Sequence, residues 1–255
     1  MPMLEVQGLQ KVYTPRFGGN KVQALRGVSF ALEEGEFVAV MGESGSGKTT
    51  LLNILAALDQ PTAGQVLLDG MDMAKVRERD LAAFRREKLG FVFQEFNLLD
   101  TFSLKDNILL PLVLAGGRVK DMEAQLKPLA ETLGIAELLK KYPYEVSGGQ
   151  KQRAAVARAL ITSPRLVLAD EPTGALDSRS ADQLLRLFQE FNQGGQTIIM
   201  VTHSIQAASH AKRVLFIKDG TVFQELRREN RGEGQFYTAI SQTLTLLQAG
   251  GEDRG

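Results

Sequence analysis

The sequence predicts an α/β fold with a mostly parallel core sheet, an N-terminal antiparallel β subdomain and an inserted α-helical subdomain. The core sheet is predicted by continuous apolar runs at 37–41, 166–169 and 197–201, which are typical of parallel strands covered on both faces. Between residues 94 and 144 these strand signals stop, and apolar residues recur at helical spacing instead. This change of period predicts the inserted helical subdomain, at about 95–162.

The segment from Leu4 to about Leu32 alternates apolar and polar residues around a glycine-rich turn at 17–20. This alternation predicts antiparallel strands that form a small side sheet. Residues 64–70 have the pattern of a further strand that ends in an Asp-Gly turn, and residues 72–88 have the pattern of a charged helix.

Residues 91–93 return to the strand pattern. A helical pattern at about 180–191 separates two of the buried strands, which gives the β-α-β alternation of a parallel sheet. Near the C-terminus, one face of a predicted amphipathic helix carries Phe236, Ile240, Leu244 and Leu247.

Composition limits the classes of partner and compartment. Lys plus Arg and Asp plus Glu are balanced at 30 each, so no overall positive field favours nucleic acid, and we expect no nucleic-acid partner. The absence of cysteine excludes disulfides and thiolate chemistry. The N-terminus lacks the pattern of a signal peptide, and the longest apolar stretch, 108–115, is short and contains Pro111, so we expect no spanning segment.

The most specific local pattern is a glycine-rich loop between a predicted strand and a predicted helix. It matches G-x-x-x-x-G-K-[ST] through Gly42, Glu43, Ser44, Gly45, Ser46, Gly47, Lys48 and Thr49. The glycines let backbone N–H groups point at a polyphosphate, and the helix that opens at Thr50 adds free donors and the positive end of its dipole. We expect Lys48 to reach the β- and γ-phosphates of a bound nucleotide and the Thr49 hydroxyl to ligate Mg²⁺. The alternative, a turn that only joins strand to helix, does not account for the Lys-Thr pair.

Two acids follow the apolar run at 166–169. The carboxyl ends of strands are where α/β sheets bind ligands. We therefore expect Asp170 to hold Mg²⁺ through water, and Glu171 to orient or deprotonate the attacking water. The alternative is a pair of solvated acids at a strand end, and the phosphate-binding loop makes the catalytic interpretation the stronger one.

A second anion-binding pattern precedes the predicted helix at 151–160. Ser147 is a candidate N-cap, and Gly148 and Gly149 lie next to the helix N-terminus. Because one chain then carries two phosphate-binding ends, the pattern indicates two copies that meet head to tail. Each copy would bring Ser147, Gly148, Gly149 and Gln150 to the ATP on the other copy's loop, so that a symmetric dimer holds two ATP molecules. An ordinary capped helix is the alternative.

With this ordered set of motifs the sequence resembles the ATP-binding-cassette family over about 4–223, and the resemblance implies the fold of a P-loop ATPase. In that family 147–150 is the signature that completes the partner's site; Val146 stands where leucine is usual. We accordingly divide the chain into an ATP-binding-cassette domain at 1–229 and a C-terminal amphipathic helix with a tail at 230–255.

The resemblance also implies roles for residues that the sequence alone leaves ambiguous. Gln94 corresponds to the glutamine of a loop that approaches Mg²⁺ and the attacking water. His203 corresponds to a switch histidine that contacts the γ-phosphate, and Tyr13 to an aromatic that stacks on adenine. Residues 174–177 correspond to the loop that crosses the dimer interface, with Ala175 where many relatives have asparagine. Without the family, each could be a polar residue at a strand end or a packed aromatic.

In this family the region after the glutamine loop, here 96–112, grips a membrane subunit, although its apolar residues could instead pack the helical subdomain. The closest resemblance is to ATP-binding subunits of bacitracin-type antimicrobial-peptide transporters, through 97–101, 107–112, 174–177 and the C-terminal helix. It implies a homodimer, peripheral at the cytoplasmic face of the cell membrane, beneath a multi-spanning permease that can signal through a sensor kinase.

Other functions remain as alternatives. The ATPase of a macrolide-export or lipoprotein-release transporter would share most of these motifs. A soluble cassette ATPase of DNA repair, translation or cluster assembly usually carries a coiled-coil arm, duplicated cassettes or basic patches, and the sequence shows none of these. A GTP switch is disfavoured because Asn20-Lys21 is not followed by an aspartate at position 23. A binding module without hydrolysis is disfavoured by Glu171.

Overall fold

The computed structural model describes residues 2–14 and 20–249. The glycine-rich turn predicted at 17–20 lies, apart from Asn20, outside the described residues. In chain order the strands are β1 (Leu4–Tyr13), β2 (Val22–Leu32), β3 (Phe37–Gly42), β4 (Ala63–Leu68), β5 (Met71–Asp72), β6 (Leu89–Val92), β7 (Leu166–Asp170), β8 (Thr197–Val201), β9 (Arg213–Lys218) and β10 (Thr221–Arg227). The α-helices are α1 (Lys48–Leu55), α2 (Glu78–Lys88), α3 (Leu104–Leu114), α4 (Val119–Thr132), α5 (Gly148–Leu160), α6 (Ser178–Gln193), α7 (Ile205–Ser209) and α8 (Glu233–Ala249).

Four strands form the predicted antiparallel side sheet, in the order β2-β1-β4-β5. The helix predicted at 72–88 begins later, at Glu78. Residues 71–72 pair with β4, and the Asp72 side chain accepts a hydrogen bond from the Ala74 N–H at 3.0 Å, which starts a short 3₁₀ turn. This local capping contact and the strand pairing override the helical pattern of the charges.

The second sheet has the order β10-β9-β3-β8-β7-β6, and only β10 runs antiparallel to its neighbour. The predicted mostly parallel core is therefore confirmed. Strands β3 and β8 are buried along their whole length because helices cover both faces of the sheet. Strands β9 and β10 are not among the predicted strands, although the apolar run at 214–217 and the turn at Asp219-Gly220 carry the signal of a hairpin.

Helices α3, α4 and α5 lie between β6 and β7 in the chain and form the inserted helical subdomain. Ser103 caps α3 through a hydrogen bond from the Asp106 N–H, and the apolar faces of the three helices meet in one buried cluster. Asn107 is fully buried, and its side-chain amide bonds to backbone atoms of Leu99 and Ser103. These bonds fold the segment that follows the strand β6 onto α3.

Helix α8 packs on the core of the protein. Phe236, Ile240 and Leu247 are fully buried in the apolar cluster that also contains Phe216 of β9. The predicted apolar face of this helix is thus covered by the same chain. Among residues 2–14 and 20–249, no helix is long and apolar enough to cross a membrane.

Candidate active site

The loops that follow the parallel strands β3, β6, β7 and β8 converge at one edge of the core sheet. Because these strands are neighbours and point the same way, their carboxyl ends lie side by side. They surround an open cavity of about 360 Å³. It is lined by Ser44, Gly45, Lys48, Thr49, Gln94, Asp170, Glu171, Val201 and His203. All except Val201 are site residues that the sequence predicts.

The phosphate-binding loop reaches α1 through a residue that must be glycine. Gly47 has a φ of 103°, in the left-handed region, and a Cβ at this position would lie 2.4 Å from the carbonyl oxygen of Ala24. Within the described residues, no side chain caps the N-terminus of α1. The first N–H groups of α1 are therefore available to an anion, and the helix dipole adds to their attraction.

Lys48 closes the phosphate-binding loop on itself. Its Nζ donates hydrogen bonds to the carbonyl oxygens of Gly42 at 2.9 Å and Glu43 at 2.7 Å, and the residue is 5% exposed. Burial lowers the pKa of the Lys48 ammonium, and the charges of Glu171 and Asp170 oppose this shift. The ammonium group of Lys48 is thus held at the phosphate-binding loop, facing the carboxylates of Asp170 and Glu171.

Asp170 ends β7, and Glu171 begins the turn that follows it. Burial raises the pKa of the Asp170 carboxyl, against the opposing effects of Lys48 and His203. Glu171 has a φ of 45°, a conformation that costs a non-glycine residue on the order of 1–3 kcal/mol. Its N–H donates to the Val201 carbonyl of the neighbouring strand at 2.9 Å. The surrounding strands therefore hold this carboxylate in a strained position.

His203 lies beside Glu171. The His203 backbone N–H donates to Oε2 of Glu171 at 3.2 Å, and its Nε2 is 3.3 Å from Oε1. The second approach lacks the alignment of a hydrogen bond, and Oε1 is buried without a hydrogen-bond partner among the residues that the structure describes. The carboxylate thus keeps one oxygen free to accept a proton.

Gln94 follows the predicted strand at 91–93, which the structure places at Leu89–Val92. Its side chain lies against Gly174, where an added Cβ would be 2.9 Å from Nε2 of Gln94. The loop predicted to cross a dimer interface and the predicted glutamine loop are therefore in contact within one chain.

Thr49, Gln94 and Asp170 bring a hydroxyl, an amide and a carboxylate to the same cavity. Oxygen donors of this kind suit Mg²⁺, which binds through one or two carboxylates together with phosphate oxygens and water. In the described part of the chain no group of three or more His, Asp or Glu side chains could hold a metal by itself. The donor set therefore fits a cation that arrives with a polyphosphate.

Tyr13 ends β1 and does not line the cavity. Its hydroxyl donates to Oδ2 of Asp59 at 2.8 Å, and Nζ of Lys11 lies 4.9 Å from the ring centroid. Burial raises the pKa of the Tyr13 phenol, and a hydrogen bond to the Thr50 side chain opposes the shift. Tyr13 is 40% exposed and lies next to Thr50 in the first turn of α1.

The residues at 147–150 form the N-terminus of α5. The Ser147 hydroxyl accepts a hydrogen bond from the Gln150 N–H at 3.3 Å, while Oε1 of Gln150 accepts one from the Ser147 N–H at 2.9 Å. This capping box fixes the helix end, as Ser147 was predicted to do. Of the described residues around the cavity, none comes from Ser147, Gly148, Gly149 or Gln150. The predicted second anion-binding end therefore lies outside this cavity.

Two contacts that support the site are not predicted from the sequence. The turn between β9 and β10 braces the phosphate-binding loop, because the Gly220 N–H donates to the Ser46 carbonyl at 3.1 Å. Gln152, fully buried in α5, donates to the carbonyl oxygens of Phe93 at 3.0 Å and Pro172 at 2.7 Å. The hairpin had a signal in its apolar run, whereas a buried glutamine within a polar-looking helix had none.

The model of the ABC transporter family matches residues 25–174. The chain is 46% identical over 248 residues to the bacitracin export ATP-binding protein BceA of Halalkalibacterium halodurans, with 97% of each protein covered. It is 43% identical over 250 residues to the macrolide export ATP-binding/permease protein MacB of Wolinella succinogenes, with 96% of this chain and 39% of that one covered.

The fold matches that of the ATP-binding cassette MJ0796 in a dimeric post-hydrolysis state bound to ADP and Pi. The TM-score is 0.80 at 36% identity, with 88% of this chain and 98% of that chain covered. The cavity, the order of its motifs and these similarities agree, and the chain belongs to the ABC transporter family as an ATP-binding subunit that hydrolyses ATP.

Proposed function

We propose that this chain powers an exporter of antimicrobial peptides of the bacitracin type, as a homodimer that closes on two ATP molecules. The observation that carries the proposal is the division of the motifs within one chain. Glu171, His203 and Lys48 share one cavity, while the signature at 147–150 lies elsewhere, at the exposed end of a capped helix. A complete ATP site then needs the signature of a second copy, and MJ0796 supplies the precedent of a dimer.

The chemistry in each site follows from the charges around the cavity. Lys48 binds the β- and γ-phosphate oxygens and balances the charge that develops during transfer. Glu171 orients the attacking water through its carboxylate and accepts its proton. His203 contacts the γ-phosphate and holds the Glu171 carboxylate in place. Tyr13 stacks on adenine.

Mg²⁺ completes the proposed site. Thr49, Asp170 and Gln94 would hold it together with phosphate oxygens, the aspartate through water. When bound, the cation neutralises phosphate charge and orients the γ-phosphate. The residues themselves fix the geometry: Gln94 rests against Gly174, and Asp170 is anchored at the end of a central strand.

A groove between α2, α3 and α5 is the surface where we place the permease. It holds a cavity of about 440 Å³, and its lining includes three arginines and no acid. The lining consists of Ala82, Arg85, Arg86, Leu89, Gly90, Phe91, Phe93, Asn97, Leu110, Pro111, Leu114, Arg158, Ala159 and Thr162. Arg158 donates to the carbonyl oxygens of Phe96 and Asn97, two residues with positive φ just beyond Gln94. An apolar permease segment with an acidic residue would fit this groove, next to the glutamine loop.

The bacitracin-type assignment is supported by the similarity to BceA over 97% of both chains. With this assignment we propose that the dimer lies at the cytoplasmic face of the cell membrane, beneath a multi-spanning permease that can also signal to a sensor kinase. The similarity to MacB supports the second candidate, an ATPase for macrolide export or lipoprotein release. A ten-span permease with a large extracellular domain that co-purifies with the chain would favour the first, and a four-span permease the second.

The assignment of the catalytic base is tested with Glu171→Gln. The variant should bind ATP, lose hydrolysis and accumulate as an ATP-bound dimer, which size-exclusion chromatography with light scattering detects. Glu87→Gln, an exposed acid on α2, is the matched control and should behave as wild type. Full hydrolysis by Glu171→Gln would exclude this residue as the base. In cells, the wild-type gene but not the Glu171→Gln gene should restore bacitracin resistance to a deletion strain.

A further inference from the structure

Gln152 touches the segments that carry two catalytic residues and belongs to the helix that carries the signature. It is the fifth residue of α5, whose N-terminus is formed by 147–150, and it is 0% exposed. Its Nε2 donates to the carbonyl oxygen of Phe93 at 3.0 Å and to that of Pro172 at 2.7 Å. Phe93 immediately precedes Gln94, and Pro172 immediately follows Glu171.

The orientation of the Gln152 amide is fixed by its partners. Two carbonyl oxygens face one end of the amide, so that end must carry the NH₂ group, because a flipped amide would place three oxygens together. The other end, Oε1, is buried, and no group in the described part of the chain donates a hydrogen bond to it. An apolar side chain would avoid this unpaired acceptor. The position therefore keeps an amide for the two bonds that it donates.

These two bonds reach segments that contain strained backbone conformations. Glu171, Phe96 and Asn97 all have positive φ without being glycine, and such conformations persist only where neighbouring contacts hold them. The bond to Pro172 holds the turn just after Glu171, and the bond to Phe93 holds the strand end just before Gln94. Both anchors come from one side chain on one rigid helix.

We propose that Gln152 is a positioning residue that transmits movement of the signature helix to Gln94 and Glu171. When the signature of one chain meets the ATP of the other, α5 moves as a body, and the two bonds of Gln152 carry the displacement to the glutamine loop and the base. Hydrolysis then becomes fast only in the closed dimer. This inference rests on the proposed ATP-sandwich dimer.

Gln152→Met tests the proposal, because methionine has a similar length and no donor. The variant should keep the ATP affinity of the wild type and, combined with Glu171→Gln, should still form the ATP-bound dimer. Its kcat should fall at least tenfold while KM changes less than threefold. If the variant does not fold, as judged by circular dichroism, Gln152→Asn replaces it; asparagine keeps the NH₂ group but is too short to reach both carbonyls.

Gln196→Met is the matched control. Gln196 also donates to two backbone carbonyls, those of Pro164 and Thr197, each at 3.1 Å, far from the catalytic residues. It should lose a comparable amount of thermal stability and keep kcat. If Gln152→Met and Gln196→Met lose similar stability and show the same kcat, the role of Gln152 is purely structural, and that result would overturn the proposal.

A double-mutant cycle with Gln94→Ala supplies the second arm. If Gln152 acts through Gln94, the losses in kcat should overlap, and the double variant should be clearly faster than the product of the two single effects predicts. Multiplicative losses, or an unchanged kcat in Gln152→Met, would overturn the proposal. A wild type that does not hydrolyse ATP, or a Glu171→Gln variant that forms no dimer, would instead count against the proposed function itself.

Discussion

His203 lies against both oxygens of the Glu171 carboxylate but is hydrogen-bonded to only one: its backbone N–H donates to Oε2 at 3.2 Å, and its Nε2 lies 3.3 Å from Oε1. The contact arises because β7 and β8 are parallel neighbours, so the residues after their ends meet. His203 therefore contacts Glu171 in two separable ways. The hydrogen bond from its backbone N–H is kept when any residue other than proline replaces it, whereas the contact of its imidazole ring is lost.

We therefore expect His203→Ala to keep the hydrogen bond from the backbone N–H of residue 203 to the Glu171 carboxylate, and to lose the contact of the imidazole with that carboxylate and with the γ-phosphate. The kcat for ATP hydrolysis should fall by about a hundredfold, within the usual range for a lost acid–base or positioning group, while nucleotide affinity changes little. A steady-state ATPase assay and a fluorescent-nucleotide titration measure the two quantities. A loss of nucleotide affinity as large as the loss of kcat would contradict this prediction.

Gly174→Ala tests the position of Gln94. The backbone at Gly174 is not in the left-handed region, so alanine is allowed, but its Cβ would lie 2.9 Å from Nε2 of Gln94. The flexible amide should move away, and kcat should fall on the order of 10- to 100-fold without a large change in Tm. Gly234→Ala, where the Cβ meets nothing within 4 Å, is the control. A wild-type kcat in Gly174→Ala would mean that Gln94 need not occupy this position.

Leu114→Asp tests the groove assigned to the permease. Leu114 is 65% exposed at the end of α3, so the fold should tolerate the change. A carboxylate in a groove that favours an acidic partner should weaken co-purification of the permease at least tenfold. Leu246→Asp, 63% exposed on α8, is the matched control and should retain the permease. Loss of the permease in both variants would point to a general effect of surface charge.

The sequence alone predicts most of the framework. The runs at 37–41, 166–169 and 197–201 became central parallel strands, because a strand buried on both faces leaves a continuous apolar signature. The cavity followed from the same rule, since acids and a histidine directly after such strands must gather at one edge of the sheet.

What the sequence could not predict depends on contacts between distant segments. No local pattern links Tyr13 to Asp59, 46 residues away, or Gln152 to Phe93 and Pro172. The late start of α2 has the same origin, because pairing of β5 with β4 outweighs the helical charge pattern at 72–77. Helix and strand propensities are local, whereas these outcomes are set by which strands lie side by side.

Asp69→Asn tests a surface ion pair between the side sheet and the core. Arg165, just before β7, donates to both oxygens of Asp69 at 2.9 and 2.8 Å. The Arg165 guanidinium lowers the pKa of the Asp69 carboxyl, so the pair stabilises the fold above the unfolded pKa of about 4 and loses that effect as the pH falls through the lower folded value.

At pH 7 the variant should lose up to about 1 kcal/mol of unfolding free energy, because the pair is largely exposed. Asp69 has a positive φ of 50°, which asparagine also tolerates. Backbone strain should therefore not add to the loss. Urea titrations at pH 7 and pH 2.5 compare the two proteins, with the exposed Glu131→Gln as control. A difference that grows at acid pH would contradict the assignment.

A mixing experiment tests whether two chains share each ATP site. A Lys48→Ala chain lacks the phosphate-binding lysine, and a Ser147→Arg chain lacks the signature hydroxyl and carries a bulky side chain at the end of α5, so neither homodimer has an intact site. In a mixed dimer, the loop of the Ser147→Arg chain faces the intact signature of the Lys48→Ala chain. If equal amounts are mixed, half of the dimers contain one chain of each kind, and each of these has one intact site of two. The mixture should therefore reach about one quarter of the wild-type ATPase rate.

The control is wild type mixed with a chain that carries both changes. Its mixed dimers have no intact site, so only the wild-type homodimers hydrolyse ATP, and activity should also be about one quarter. If the first mixture shows no more activity than its separate components, each chain completes its site alone, and the head-to-tail dimer is wrong.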